Sequence, residues 1–262
     1  MPLRRIAIAQ HCFPQSLTQS LLPVAQSGAA GIEIDARDGL KPTELSETGR
    51  RQLLHRLREL NLSVASLAFP TRGSLQEPMR LDERISAVKK VMQFAYQLKA
   101  GIVTVRLGTI PTEQESEDFS GLLEILNDLA RFGNREGVTV ALTPGRDSAE
   151  RVAQLLSSVT EGPIGVNFDP AVQVMSGHDP ASAVAPLHNF LAHVQVRDAV
   201  SDIDGLGVEV AVGRGEVVWD ELLALIDETG YRGWFSIDRV GGDDRAGDAA
   251  RAVSYLKQVS RV

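Results

Sequence analysis

The chain has 262 residues, 43% hydrophobic and 23% charged, enough for one large core and as well suited to a single α/β barrel as to two ordinary domains. A formal charge of −7 and a sequence pI near 5.3 argue against a nucleic-acid surface, which needs a concentrated basic face. The single cysteine, Cys12, rules out an intramolecular disulfide and a multi-cysteine zinc site, and the apolar run at 6–9 is too short for a signal or a membrane span, so the expectation is a soluble cytoplasmic protein with no membrane partner.

Ile6-Ala7-Ile8-Ala9-Gln10 alternates large and small side chains, as expected of a first strand with the alanines towards a crowded lumen. Ser16 and Gln19 have capping-box spacing, and a helix to about Ser27 follows, weakened by Pro23. Residues 31–37 form a second strand with Glu33, Asp35 and Arg37 on the inward face. Leu53, Leu54, Leu57 and Leu60 have helical spacing, 62–69 reads as a third strand, and Ile85, Val88, Met92, Ala95 and Leu98 mark the next helix. The pattern then repeats. Strands are expected at 101–106, 137–143, 164–169, 193–198 and 230–238, with helices at 122–132, after the Ser148 cap, at 181–190, at 219–229 and at 246–259. Eight alternating strand and helix pairs close a parallel sheet into one (β/α)8 TIM barrel covering residues 1–262.

The active site of such a barrel lies at the C-terminal ends of its strands, so the last inward residue of each strand makes the short list. By parity these are Glu33 with Asp35 or Arg37, Arg106, Thr143, Asp169, Gln195 with Arg197, and Asp238, with His11 and Arg72 just above the rim. Asp169, Gln195 and Asp238 stand on adjacent strands. Two carboxylates and an amide converging there suit either a weak site for a hard divalent cation or acid–base work on a polyol. The bland reading of Asp169 is a cap acid ahead of Pro170.

Basic residues are 22 arginines against five lysines, and Arg37, Arg72, Arg106, Arg146, Arg197, Arg214 and Arg239 all follow or end strands. A mouth ringed with planar guanidinium groups inside an acidic protein points to a small anionic or polyhydroxylated ligand, with Arg106 and Arg197 expected to carry most of it. The competing reading of Arg197 is a neutralising partner for Asp198. Gly213, Gly215, Gly241 and Gly242 fall where barrels often hold phosphate, although Asp243 and Asp244 oppose it.

The segments 31–35, Asp169-Pro170, 193–198, 213–219 and 230–238 together resemble the xylose isomerase-like TIM barrels of sugar isomerases, epimerases and inosose dehydratases, over essentially the whole chain. The resemblance implies a divalent metal such as Mn, Mg or Zn, held by a Glu, an Asp, a His and a Glu on successive strands, the two Glu also moving protons between sugar carbons. The matching positions here are Thr143, Asp169, Gln195 and Asp238, and Val172 stands where the family often has a substrate-binding His. Only Asp169 is kept outright, so the metal is expected to be weak or lost at Asp169, Gln195 and Asp238. Two functions follow as expectations. One is a sugar or sugar-phosphate isomerase or epimerase with Asp238, Asp169 and Glu33 as catalytic groups and His11, Arg106, Thr143, Gln195 and Arg197 binding substrate. The other is a carbohydrate-binding or regulatory barrel that has lost metal and turnover. A homodimer is left open.

Overall fold

Alternation at period two becomes a set of parallel strands in the computed structural model, which describes residues 4–113, 115–202 and 207–259. The barrel strands are β1 (Arg5–Ala9), β2 (Gly31–Asp35), β3 (Ser63–Phe69), β4 (Ile102–Gly108), β5 (Thr139–Pro144), β6 (Ile164–Phe168), β7 (Leu191–Val196) and, after a short antiparallel pair β8 (Asp198–Val200) and β9 (Val208–Val210), β10 (Trp234–Ile237). They pair in parallel in the order β1-β10-β7-β6-β5-β4-β3-β2 and close, so first and last barrel strands are neighbours, as in a single (β/α)8 barrel. The predicted closed barrel is the observed fold.

Helices α1 (Leu17–Gln26), α2 (Glu47–Glu59), α3 (Leu81–Gln97), α4 (Glu117–Glu136) and α5 (Ala149–Ser157) follow the first five strands. Ser16 and Gln19 form the expected capping box, and Ser148 accepts from Arg151 N. Pro23 is accommodated inside α1, in which Leu17, Leu21 and Val24 face the barrel. Where one helix was expected after the sixth strand there are two, α6 (Pro170–Met175) and α7 (Pro180–Leu187), each begun by an Asp-Pro pair in which the acid caps and the proline fills the first turn. Helices α8 (Trp219–Glu228) and α9 (Arg245–Val259) complete the ring. The β8–β9 hairpin was not anticipated; residues 203–206 between its strands lie outside the described residues.

Packing follows side-chain parity. Ile6, Ile8, Ile32, Ile34, Val103, Val105, Val194, Val196, Phe235 and Ile237 belong to the apolar layer beneath the helices. Ala7, Ala65 and Trp234 form a separate apolar cluster, and Arg5 lies over the Trp234 ring at 4.0 Å. Above this cluster the interior turns polar, with Glu33, Ser66, Asn167, His193, Gln195 and Ser236 all buried. No helix among the described residues is long and apolar enough to cross a membrane.

Candidate active site at the strand C-termini

Polar side chains inside a closed barrel must find partners there, because the surrounding apolar layer offers none. His193 on β7 is fully buried, with Nδ1 2.7 Å from Asn167 Oδ1 and Nε2 2.9 Å from Ser236 Oγ, 3.1 Å from Ser66 Oγ and 3.3 Å from Glu33 Oε2. The Asn167 amide nitrogen donates to Thr143 Oγ1 at 2.9 Å, which turns the Asn carbonyl to His193 and puts the imidazole proton on Nδ1. Burial drives the His193 pKa down to about 3, so the ring is neutral and offers its Nε2 lone pair to the Glu33 side. Glu33 in turn accepts from Ser66 Oγ at 2.7 Å and Gln195 Nε2 at 3.1 Å. Burial raises its pKa despite these donors.

An open cavity of ≈ 820 Å³ stands over this floor, and its lining includes Glu33, Thr143, Asp169, Gln195, Arg197 and Asp238, together with His11 and Arg106. The residues expected from parity therefore meet at one mouth, with the exception of Arg37, whose guanidinium donates to Pro70 O instead; the period-two pattern and the closure of the barrel suffice to bring the others there. Their partners, however, were hidden from the sequence. Asp238 Oδ1 lies 2.5 Å from His11 Nε2 in an ion pair. Burial pushes the Asp238 carboxyl up, but His11 and Arg197 outweigh it and hold the group below its ordinary value. Burial likewise lowers the His11 imidazole, yet the hydrogen bond and charge of Asp238 leave it raised overall.

Arg197 does not neutralise Asp198. Its guanidinium donates to Asp169 Oδ2 at 2.8 Å and lies 3.6 Å from Glu209 and 4.0 Å from Asp238. Asp198 instead accepts from the backbone N–H groups of Ala199, Gly213 and Val217 and from Trp219 Nε1 at 3.3 Å. The segments 193–198 and 213–219 are thus one physical unit, an acid that pins the loop after β9 against the barrel. Gly213 and Gly215 serve that anchor, and a Cβ at Gly215 would collide with Asp198 Oδ1 and Ala199 O. After β10, the N–H groups of Val240 and Gly241 donate to the Glu209 carboxylate. Neither glycine pair is a phosphate cradle. Glu209, which bridges Arg197 and Arg239, was missed because nothing in its local sequence marks it.

Asp169 is both cap and partner: Oδ1 accepts from Ala171 N and Val172 N while Oδ2 holds Arg197. Burial raises its pKa, partly offset by Arg197. These contacts decide whether Asp169, Gln195 and Asp238 fit a divalent cation. They do not: a fixed guanidinium lies within reach of both acids, and Gln195 turns its amide nitrogen, a donor, towards Glu33. Among the described residues, His11, Cys12 and Asp238 also cluster as metal-type ligands. Burial pushes the Cys12 thiol up to about 12, and it packs against the carbonyls of Ile237 and Arg239 as a protonated group.

The fold is a parallel (β/α)8 barrel whose strand C-termini open on a cavity lined by carboxylates and arginines. A family model described as xylose isomerase-like TIM barrel matches residues 21–259, and the chain belongs to that family. Over 271 aligned residues it is 23% identical to an uncharacterised protein of Methanocaldococcus jannaschii, covering 94% of this chain and 85% of that one. It is 22% identical to inosose dehydratase 2 of Bacillus cereus over 209 residues, 68% of this chain and 69% of that one. Among solved structures, a xylose isomerase domain protein from Planctomyces limnophilus superposes with a TM-score of 0.87 at 20% identity over 99% of this chain and 98% of that one. A xylose isomerase-like barrel from Mycobacterium smegmatis in complex with magnesium gives 0.76 at 18% over 92% and 87%. A D-psicose 3-epimerase gives 0.78 at 14% over 97% and 99%. At these identities the structural likeness shows the fold.

Proposed function

We propose that this barrel is a metal-independent acid–base catalyst that moves a proton between adjacent carbons of a small polyhydroxylated substrate, as a sugar isomerase or epimerase. The observation that carries the reading is that Asp238 and Glu33 line one cavity, Glu33 held by Gln195 and Asp238 by His11, with pKa values displaced in opposite directions. Two carboxyl groups separated in this way supply a base and an acid at the same pH. Asp238, held ionised, takes the proton from the substrate carbon. Glu33, raised towards its neutral form, returns one. Negative charge that develops on the substrate oxygen meets the Arg197 guanidinium and, beside it, the His11 imidazole, whose basicity Asp238 raises; together they supply the electrostatic stabilisation expected of an oxyanion site. Thr143 and Gln195, which line the same cavity, hold substrate hydroxyl groups in this reading.

The second reading, a binding barrel without turnover, is favoured by one observation: Asp169, Asp238 and Glu33 all have intramolecular partners. Proton NMR of deuterium uptake from D₂O into ketoses, aldoses and cyclic polyols separates the two. The expected result is exchange that persists in EDTA and falls at least ~10²-fold in Asp238→Asn, the typical contribution of a general base. Ligands that bind but never exchange would leave the binding barrel.

A further inference from the structure

We infer that the side of the mouth formed by the ends of β3, β4 and β5 is a subsite for an oxyanion, a phosphate ester or carboxylate at the end of the polyhydroxylated substrate. The inference rests on the reading of the opposite side as the reacting end. Arg72, Arg106 and Arg146 line the same cavity as Glu33, Asp169 and Asp238. Among the described residues, none of these three guanidinium groups has a hydrogen bond, ion pair or ring contact, in contrast to every other arginine expected near the mouth except Arg214. Arg37 is bonded to Pro70 O, Arg197 is committed to three acids and Arg239 is held by Glu209 and Asp248. Arg214 lies in a separate outer depression. The expected anion site therefore moves from Arg106 and Arg197 to Arg72, Arg106 and Arg146.

The backbone that carries the three is fixed. Leu75 N donates to Leu107 O at 3.3 Å and Gln76 Nε2 to Thr109 O at 2.5 Å, which ties the loop after β3 to the one after β4. Ile110 N donates to Asp147 Oδ2 at 3.0 Å and Arg151 to the carbonyls of Ile110 and Pro111, which ties that loop to the one after β5. Gly108 adopts φ +90°, and a Cβ there would collide with Ser74, so the first two loops are packed as closely as their backbones allow. Three like charges converging on one cavity, in a chain of net charge −7, repel one another until an anion joins them. Asp35, which also lines the cavity, spends Oδ1 on the N–H groups of Arg37 and Asp38. Carboxylates on one side and free arginines on the other suit a ligand with a reacting carbon at one end and an oxyanion at the other.

The test is calorimetric titration of the full chain with D-fructose 6-phosphate, D-gluconate, D-fructose and inorganic phosphate, on the native protein and on Arg72→Gln, Arg106→Gln, Arg146→Gln and, as control, Arg214→Gln. At least one anionic sugar should bind ten times or more tighter than fructose, and which one does distinguishes phosphate from carboxylate. Each of the three mouth variants should weaken that binding roughly ten- to a hundredfold, the size of a charge-assisted contact, and rising salt should weaken it further. Arg214→Gln should behave as native. These side chains are exposed and unpaired, so the variants are expected to keep the native melting temperature. Equal affinity for neutral and anionic sugars, a preference unchanged in all three variants, or no binding of either anionic sugar or phosphate would overturn the subsite. Deuterium exchange by the native protein together with equal affinity for neutral and anionic sugars would show the subsite failing alone. An intact, arginine-dependent preference without any exchange would show the catalytic reading failing alone.

Discussion

At Arg197 one guanidinium is shared among Asp169, Glu209 and Asp238, with only 16% of its side chain exposed. Such a shared cation does the charge balancing that a divalent metal could otherwise do between the same acids. The expectation is that Mn²⁺, Mg²⁺ and EDTA leave the melting temperature of the native protein unchanged, whereas Arg197→Ala loses about 3–5 kcal/mol of stability, the usual cost of stranding buried charges. Part of that loss should return on adding Mn²⁺, because the cavity then offers acids without a resident cation. Tight stoichiometric Mn²⁺ binding to the native protein would contradict this account of Arg197. The sequence put Arg197 at the mouth as an anion-binding group, with neutralisation of its neighbour Asp198 as the competing reading; the alternation of faces forbids that pairing, and three acids from elsewhere in the chain occupy the guanidinium.

The β8–β9 hairpin and the loop that returns to α8 form an element held chiefly by Asp198, a fully buried carboxylate with four donors. Asp198→Asn replaces one acceptor oxygen with an N–H₂ group facing those donors. Leaving at least one of them unsatisfied should cost about 2–4 kcal/mol, read as a lower urea midpoint with little change in slope. Gly215→Ala should destabilise as well, since its Cβ would enter the space of the same carboxylate. Because Glu209 stands on β9 and reaches Arg197, loosening the hairpin should also disturb the mouth, which a change in deuterium-exchange rate would report. A variant as stable as the native protein would show that the loop holds itself by other contacts.

Across the whole molecule, the buried Glu33–His193 pair sets an unusual dependence of stability on pH. Glu33 is raised from 4.5, so its contribution is present below 4.5 and is lost as pH rises through its folded value. His193 is depressed from 6.5 to about 3, so its contribution is present above 6.5 and is lost as pH falls towards 3. Above 4.5 the two slopes oppose each other, Glu33 lowering stability with rising pH until its raised folded value is passed and His193 increasing it up to 6.5. Removing one partner should expose the other. In Glu33→Gln, stability measured by urea denaturation should rise with pH up to about 6.5 by up to ~1.4 kcal/mol per unit relative to native, and in His193→Gln it should fall as pH rises above 4.5. Parallel profiles for the native protein and both variants would mean that the pair does not exchange its proton state on folding.

The sequence by itself determined the staves, their number and their inward faces. Strand alternation is a local property, and once eight strands close, parity alone delivers Glu33, Thr143, Asp169, Gln195 and Asp238 to one cavity. It also determined the capping of α1 and α5, which depends on residues three apart. What only the tertiary structure decided is which groups neutralise which. Gln195 meets Glu33 across 162 positions, His193 meets Ser66 across 127, and Arg197 finds Asp169 on the neighbouring strand. It likewise decided which arginines stay free, since Arg37, Arg197 and Arg239 look like Arg72, Arg106 and Arg146 in sequence and differ only in what the folded chain brings against them. Local periodicity fixes where a side chain points; the free energy of a charge depends on every group within a few ångströms, and those groups come from anywhere in the chain.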